Sequence, residues 1–90
     1  MSTAHCVVYL HPRRSGEPTR FGFIVAKTVG NAVTRNLMRR RLRSVGLEVL
    51  ATHATGNDIV IRALPGSPEV SWANLHDEIS AGIDRGVSKQ

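Results

Sequence analysis

The sequence predicts an α+β fold, an α/β sandwich in which helices pack on a small sheet of 3–4 strands in the order β-β-α-β-α. Short runs rich in β-branched and aromatic residues alternate with longer runs that have helical spacing of apolar residues. Turn-forming residues separate these runs. A chain of 90 residues can bury only a modest core, so a single domain spanning residues 1–90 is expected.

Three segments have the composition of strands. Residues 5–11, HCVVYLH, and residues 20–27, RFGFIVAK, flank a turn-rich segment, which favours a hairpin between them. Residues 58–63, DIVIRA, form the third strand, and their continuous apolar run predicts burial on both faces. Phe21 and Phe23 alternate along the second strand, so both are expected to pack in the core.

Two segments have helical patterning, and each follows a residue suited to cap a helix. Asn31 and Ser71 can accept hydrogen bonds from free backbone N–H groups of the first turn. The second helix is expected to run to about Gly86, with Asp77 and Glu78 outside. The predicted apolar stripes are Met38, Leu42, Val45 and Val49 in the first helix, and Trp72, Leu75, Ile79 and Ile83 in the second.

The first helix concentrates positive charge. Five arginines lie within nine residues: Arg35, Arg39, Arg40, Arg41 and Arg43. At about 100° per residue, Asn36, Arg39, Arg40 and Arg43 lie opposite the apolar stripe, with Arg35 at its border. The acid nearest to this cluster in the sequence is Glu48, so few negative charges are close enough to neutralise it. A guanidinium can bind two phosphate oxygens at once. The cluster therefore predicts a polyanionic partner rather than a solvated surface.

Charge and composition restrict the function further. Residues 1–47 carry a net charge of +8 and residues 48–90 carry −3, so the interaction surface is expected in the first half. Cys6 is the only cysteine, which excludes an internal disulfide and suits a reducing compartment. No signal peptide and no apolar run of about 20 residues is present, so we expect a soluble cytoplasmic protein with no membrane partner.

The sequence contains no pattern typical of a protein-built catalytic or metal site. The four histidines, His5, His11, His53 and His76, lack ligand spacing, and no nucleophile, base and supporting group can be assigned. We therefore expect no catalytic residue, and we do not expect the chain to cut RNA by itself.

Residues 27–43, KTVGNAVTRNLMRRRLR, closely resemble the signature segment of the bacterial ribonuclease P protein family. In that segment a Lys, a V-G-x-A-V element and an Arg-Asn-Arg helix with a trailing basic cluster follow one another. The flanking strands also resemble those of the family, so the likeness covers about residues 6–83. Leu37 stands where the motif has its second arginine, and Ala26, Lys27 and Thr28 stand where the family usually has Ser-Lys-Lys. Family members begin with a helix ahead of the first strand, and this chain is expected to lack it.

The resemblance implies a function. The chain would be the protein subunit of ribonuclease P, which binds a catalytic RNA and the 5′ leader of precursor tRNA, while the RNA and its Mg²⁺ ions hydrolyse the phosphodiester. The leader groove would lie on the sheet at Tyr9, Ile24 and Ala26, and a magnesium ion held mainly by RNA would lie near Asn36. The crossover carrying the basic helix would be left-handed, against the usual rule. The implied RNA-binding residues are Lys27, Arg35, Asn36, Arg39, Arg40, Arg41 and Arg43.

Other interpretations remain open at the level of sequence. A generic RNA-binding or ribosome-associated protein without a role in tRNA processing would share the basic helix. A DNA-binding helix-turn-helix protein would place that helix in a major groove, but it needs a short preceding helix where RFGFIVAK predicts a strand. A nuclease made of protein alone is the weakest alternative. The exposed sheet of a chain that starts at its first strand could also pair with another copy.

Overall fold

The computed structural model describes residues 3–14 and 16–88, which form three strands, two α-helices and two short 3₁₀-helices. The strands are β1 (Cys6–Pro12), β2 (Arg20–Ile24) and β3 (Asn57–Ala63). The helices are α1 (Ala32–Thr52) and α2 (Trp72–Ser88), and the 3₁₀-helices are Lys27–Val29 and Ser67–Glu69. The predicted class and element order are therefore confirmed.

The sheet has the order β1-β3-β2, with β3 antiparallel to β1 and parallel to β2. The predicted hairpin between β1 and β2 is wrong, because both strands pair with β3. The segment between β1 and β2 bonds instead to the loop that follows α1. Arg13 N donates to Gly56 O at 2.8 Å, Gly56 N donates to Glu17 O at 2.9 Å, and Thr19 N donates to Ala54 O at 2.9 Å. These bonds hold β1 and β2 apart and leave the central position to β3.

Strand β3 is buried on one face only, so the predicted burial on both faces is wrong. Ile59, Ile61 and Ala63 are buried, whereas Val60 is half-buried and Arg62 is exposed. The reason is that α1 and α2 bury their apolar stripes in the same core, against the face of the sheet that carries Ile59 and Ile61. No helix of the described residues covers the opposite face of the sheet, which we call the open sheet face.

The core lies between the helices and the covered face of the sheet. The predicted stripe residues of α1 and Leu75, Ile79 and Ile83 of α2 are all buried. Phe21, Phe23 and Trp72 are only half-buried and pack against the margin of this core. Burial raises the pKa of the Cys6 thiol to about 12, with a smaller contribution from Glu78, so Cys6 stays neutral as a core residue.

Both predicted helix caps are confirmed. Asn31 Oδ1 accepts from Thr34 N at 2.9 Å, and Ser71 Oγ accepts from Asn74 N at 3.3 Å. Helix α1 therefore starts directly after the 3₁₀-helix that follows β2, and it forms the crossover between the parallel strands β2 and β3. Across residues 3–14 and 16–88, no helix combines the length and the apolar character needed to cross a bilayer.

Candidate nucleic-acid interface

Helix α1 presents its basic residues to solvent because its apolar stripe is fixed against the sheet. Asn36, Arg40 and Arg43 are exposed, and Arg39 is half-buried beside them. Together with Val33 and Leu37 these four residues line one shallow surface depression. We call Asn36, Arg39, Arg40 and Arg43 the arginine face. The helical arrangement predicted from the sequence is thus present in the structure.

The charges of the arginine face are not neutralised within the part of the chain that the structure describes. Arg39 Nη1 donates to Asn36 Oδ1 at 3.0 Å, which orders both side chains. Among the described residues, no carboxylate forms an ion pair with Arg39, Arg40 or Arg43. Adjacent guanidiniums repel one another unless an anion lies between them. The charge of this surface is therefore complementary to an anionic partner.

Two arginines outside α1, Arg13 and Arg20, do form ion pairs with carboxylates. Arg20 binds Asp58 through two bonds of 2.9 Å, and Arg13 donates to Asp58 at 3.1 Å. Arg13 also donates to Glu17 at 2.6 Å. The Arg20 guanidinium, together with that of Arg13, holds the pKa of the Asp58 carboxyl well below its usual range. The ion pairs with Asp58 link the start of β2 and the segment before it to β3.

Three further residues predicted to bind RNA lie outside the arginine face. Lys27 is exposed in the 3₁₀-helix between β2 and α1. Arg35 is half-buried at the border of the apolar stripe, and its Nε atom is buried without a hydrogen-bond partner among the described residues. Arg41 lies over the ring of Trp72, on the side of α1 that faces α2. The structure therefore separates Arg41 from the other predicted residues.

Glu48, Glu78 and three histidines join α2 to the rest of the fold. His76 bonds to Glu48, His53 Nε2 lies 3.2 Å from Asp84 Oδ1, and His5 Nδ1 lies 2.9 Å from Glu78 Oε1. Glu48 is therefore engaged by α2 rather than by the arginines. Glu78 is half-buried and hydrogen-bonded, so the prediction that it lies on the outer, solvent-facing side of α2 is wrong.

Glu78 is held by the segment that leads into β1. Its carboxylate accepts from Thr3 Oγ1 at 2.9 Å and from His5 N at 3.0 Å. Burial alone would raise the pKa of Glu78, but these bonds and the His5 ring outweigh it and lower the pKa.

The open sheet face carries two of the residues predicted for the leader groove. The strand register places Tyr9, Val60 and Gly22 in one row across the sheet, and the next row contains Arg62 and Ile24. Tyr9 is 47% exposed and Ile24 is 48% exposed. Ala26, the third predicted residue, is half-buried beyond the end of β2. Val60, Gly22 and Arg62 were not predicted, because only the register shows that they share this face.

Exposed apolar residues on α1 were also missed by the sequence interpretation. Val33 is 79% exposed and Leu47 is 67% exposed. Both lie off the apolar stripe, so a helical projection that includes every apolar residue would have found them. Leu47 lies one turn after Arg43 and extends the arginine face with an apolar side chain.

The surroundings of Asn36 do not fit a metal site built by the protein. Asn36 Oδ1 already accepts a hydrogen bond from Arg39, and the neighbouring side chains of the depression are guanidiniums or aliphatic groups. In residues 3–14 and 16–88, no group of three His, Cys, Asp or Glu side chains is placed to hold a metal ion. A magnesium ion at this surface would need oxygen ligands from a partner, such as RNA phosphates.

Comparison with known proteins identifies similar sequences over most of the chain. The sequence model of one family, described as Ribonuclease P, matches residues 1–86. The ribonuclease P protein component of Pseudarthrobacter chlorophenolicus is 47% identical over 83 residues, which cover 92% of this chain and 61% of that protein. The corresponding protein of Clavibacter michiganensis subsp. michiganensis is 51% identical over 70 residues, which cover 78% of this chain and 62% of that protein. The chain thus spans less than two thirds of the length of either relative.

Two solved structures share the fold. The RNase P protein of Staphylococcus aureus superposes with a TM-score of 0.81 at 23% identity, covering 96% of this chain and 78% of that one. The RNase P protein of Thermotoga maritima, solved in complex with 1-(4-fluorophenyl)-2-thiourea, gives a TM-score of 0.77 at 20% identity, covering 90% of this chain and 78% of that one. At these identities the likeness concerns the arrangement of strands and helices.

Proposed function

This chain belongs to the ribonuclease P protein family, and we propose on that basis that it acts as the protein subunit of ribonuclease P. In this role it binds the catalytic RNA and the 5′ leader of precursor tRNA. The RNA carries out the phosphodiester hydrolysis. The protein neutralises phosphate charges, which lowers the electrostatic cost of folding the catalytic RNA and of binding the precursor tRNA. The proposal places the protein in the cytoplasm, together with its tRNA precursors.

The arginine face is the observation that carries the proposal. Arg39, Arg40 and Arg43 project from adjacent turns of one helix and have no carboxylate partners among the described residues. RNA phosphates would supply the missing negative charge, and each planar guanidinium can bind two phosphate oxygens. Because α1 is anchored by its buried stripe, these donors are positioned before RNA binds, which limits the entropy lost in the complex.

Arg35 and Lys27 support the same surface. Arg35 has an unsatisfied Nε atom next to the arginine face, and a phosphate oxygen would satisfy it. Lys27 lies just ahead of the N-terminus of α1 and adds an exposed ammonium group at that end of the helix. We propose that both contact the catalytic RNA, as the resemblance implied.

The open sheet face is the proposed site for the leader. Tyr9 is about half exposed, and its ring can stack on an unpaired base. Ile24 lies on the same face two residues beyond Gly22, whose missing side chain leaves room beside Val60. A single strand of RNA could therefore cross the sheet at the row that contains Val60.

Magnesium enters this proposal through the RNA. The ion would be held by RNA phosphates, and it supplies charge neutralisation and activation of water in the hydrolysis. The protein contributes guanidiniums that neutralise neighbouring phosphates, since the surroundings of Asn36 do not provide a ligand set.

The test is reconstitution with the cognate catalytic RNA and a precursor tRNA at low magnesium concentration. Adding the purified chain should increase the rate of leader cleavage, and the Arg40→Gln variant should increase it less. Arg85→Gln is the matched control, because Arg85 is an exposed arginine on α2, outside the arginine face. Binding to the RNA with no gain in cleavage would contradict the subunit role. Equal affinity for unrelated structured RNAs would favour the generic RNA-binding alternative.

A further inference from the structure

A second groove begins where the arginine face ends. Phe21 and Phe23 of β2 form one wall, Leu47 and Leu50 of α1 form the other, and Arg43 lies at the rim. Arg43 also lines the depression of the arginine face, so the two surfaces are continuous. We call this second surface the phenylalanine groove.

The groove has a floor because α1 has no side chain at position 46. A Cβ atom on Gly46 would lie only 2.7 Å from Cδ1 of Phe21, so the Phe21 ring packs directly against the backbone of α1. The ring centroids of Phe21 and Phe23 are 6.4 Å apart, and the planes are tilted by 52°. Two adjacent rings thus line the bottom and one wall of the groove.

The groove is open to solvent along its length. Leu47 is 67% exposed, and both phenylalanines are only half-buried. Strand β2 is an edge strand of the sheet, so no neighbouring strand within residues 3–14 and 16–88 closes this side. Isolated exposed apolar residues are ordinary, but several that line one groove indicate a binding surface.

The charge at the rim indicates which occupant fits. The residues that line the groove include Arg43 and no acid. A second copy of the chain, docked symmetrically at this groove, would bring one arginine face towards the other, and like charges would oppose the contact. An RNA base suits the site because it is flat, aromatic and joined to a phosphate that Arg43 can bind.

We propose that the phenylalanine groove binds an unpaired base of the same RNA whose phosphates lie along the arginine face. The base would enter between Leu47 and the phenylalanine rings, while Arg43 contacts the adjacent phosphate. This inference rests on the proposed function and adds one property of the RNA partner, an unpaired base next to α1. The RNA segment at α1 contains a bulged or unpaired nucleotide, since a base inside a regular duplex could not reach the groove.

Leu47→Gln tests the groove without disturbing the fold, because Leu47 is exposed and Gln is a good helix former. We expect the affinity for the cognate RNA to fall about tenfold at every salt concentration, with an unchanged salt dependence. Arg43→Gln should instead lower both the affinity and the slope of the salt dependence, by about one unit. The matched control is Ala81→Gln, an exposed apolar position on α2 that lines neither the phenylalanine groove nor the depression of the arginine face, and it should change the affinity less than about twofold.

Chemical probing of the bound RNA gives a second measurement. The wild-type chain should protect an unpaired base from modification, and Leu47→Gln should expose that base while the neighbouring phosphates stay protected. Wild-type affinity in Leu47→Gln would overturn the groove and leave the proposed function intact, as would an equal loss in Ala81→Gln. Sedimentation showing that Leu47→Gln disrupts a dimer while RNA binding is unchanged would assign the groove to a second copy. Failure of the wild-type chain to bind the catalytic RNA would overturn the proposed function and the groove with it.

Discussion

The guanidinium of Arg41 lies over the indole ring of Trp72, with Cζ 5.7 Å from the ring centroid. Trp72 in turn meets the ring of His76 edge-on at 5.6 Å, and His76 bonds to Glu48 on α1. Arg41 and Glu48 are two helical turns apart, so these contacts fasten α2 along one side of α1. That side is separate from the arginine face, which explains why one arginine of a dense cluster has a different environment.

Removing the Arg41 charge should therefore affect stability more than RNA binding. We expect Arg41→Met to lower the free energy of unfolding by about 0.5–1 kcal/mol through loss of the cation–π contact, as measured by urea denaturation. Met keeps the aliphatic length of the side chain, so packing against α2 is largely retained. A fall of about one unit in the salt slope of RNA binding would instead show that Arg41 contacts a phosphate.

Loss of the Arg39 side chain should affect RNA binding more than folding stability. We expect Arg39→Ala to weaken binding of the catalytic RNA and to reduce its salt slope by about one unit, because one phosphate contact is lost. Unfolding in urea should change little, since within the described part of the chain the Arg39 side chain bonds to Asn36 on its own helix and to no other element. Arg85→Ala serves as the control for loss of a surface charge, and an equal effect in that variant would argue against a specific contact.

The stability of the fold should be sensitive to a single methyl group added at Gly46. Alanine normally stabilises a helix relative to glycine, but here its Cβ atom would lie 2.7 Å from Phe21 Cδ1 and 2.9 Å from Cε1. We expect Gly46→Ala to lower the free energy of unfolding by about 1–3 kcal/mol through overpacking. The double variant Phe21→Leu, Gly46→Ala should be more stable than the sum of the single changes predicts, because the ring that clashes is absent. Strict additivity would contradict the close contact.

Acid should destabilise the contact between α2 and the start of β1. The pKa of Glu78 is lowered in the folded state, so its carboxylate stabilises the fold at every pH above the pKa that it has in the unfolded chain. This contribution is lost as the pH falls through the lower, folded-state pKa. We expect Glu78→Gln to be less stable than the wild type at neutral pH, by about 1–2 kcal/mol, and to lose less stability between neutral pH and pH 2. Asp77→Asn, at an exposed neighbouring position, is the control, and an unchanged acid dependence in Glu78→Gln would sink the assignment.

Local signals were sufficient for the elements and not for their pairing. Asn31 and Ser71 act as caps through bonds to residues three positions away, so the sequence alone places both helix starts. The pairing of β1 and β2 with β3 depends on bonds between distant loops, such as that from Arg13 to Gly56, which no local pattern reveals. The predicted hairpin failed for this reason.

Helical periodicity is a property of the backbone, so the sequence was enough to predict that one helix buries Met38 and Leu42 and directs Arg39, Arg40 and Arg43 to the opposite side. That both helices cover the same face of the sheet follows from long-range packing, which no local pattern in the sequence reveals. Tyr9 and Ile24 are open to solvent as a consequence, and Phe21 and Leu47 meet beside Gly46. Such relationships depend on how elements pack across long separations in the chain, where shape and register rather than residue type choose the neighbours.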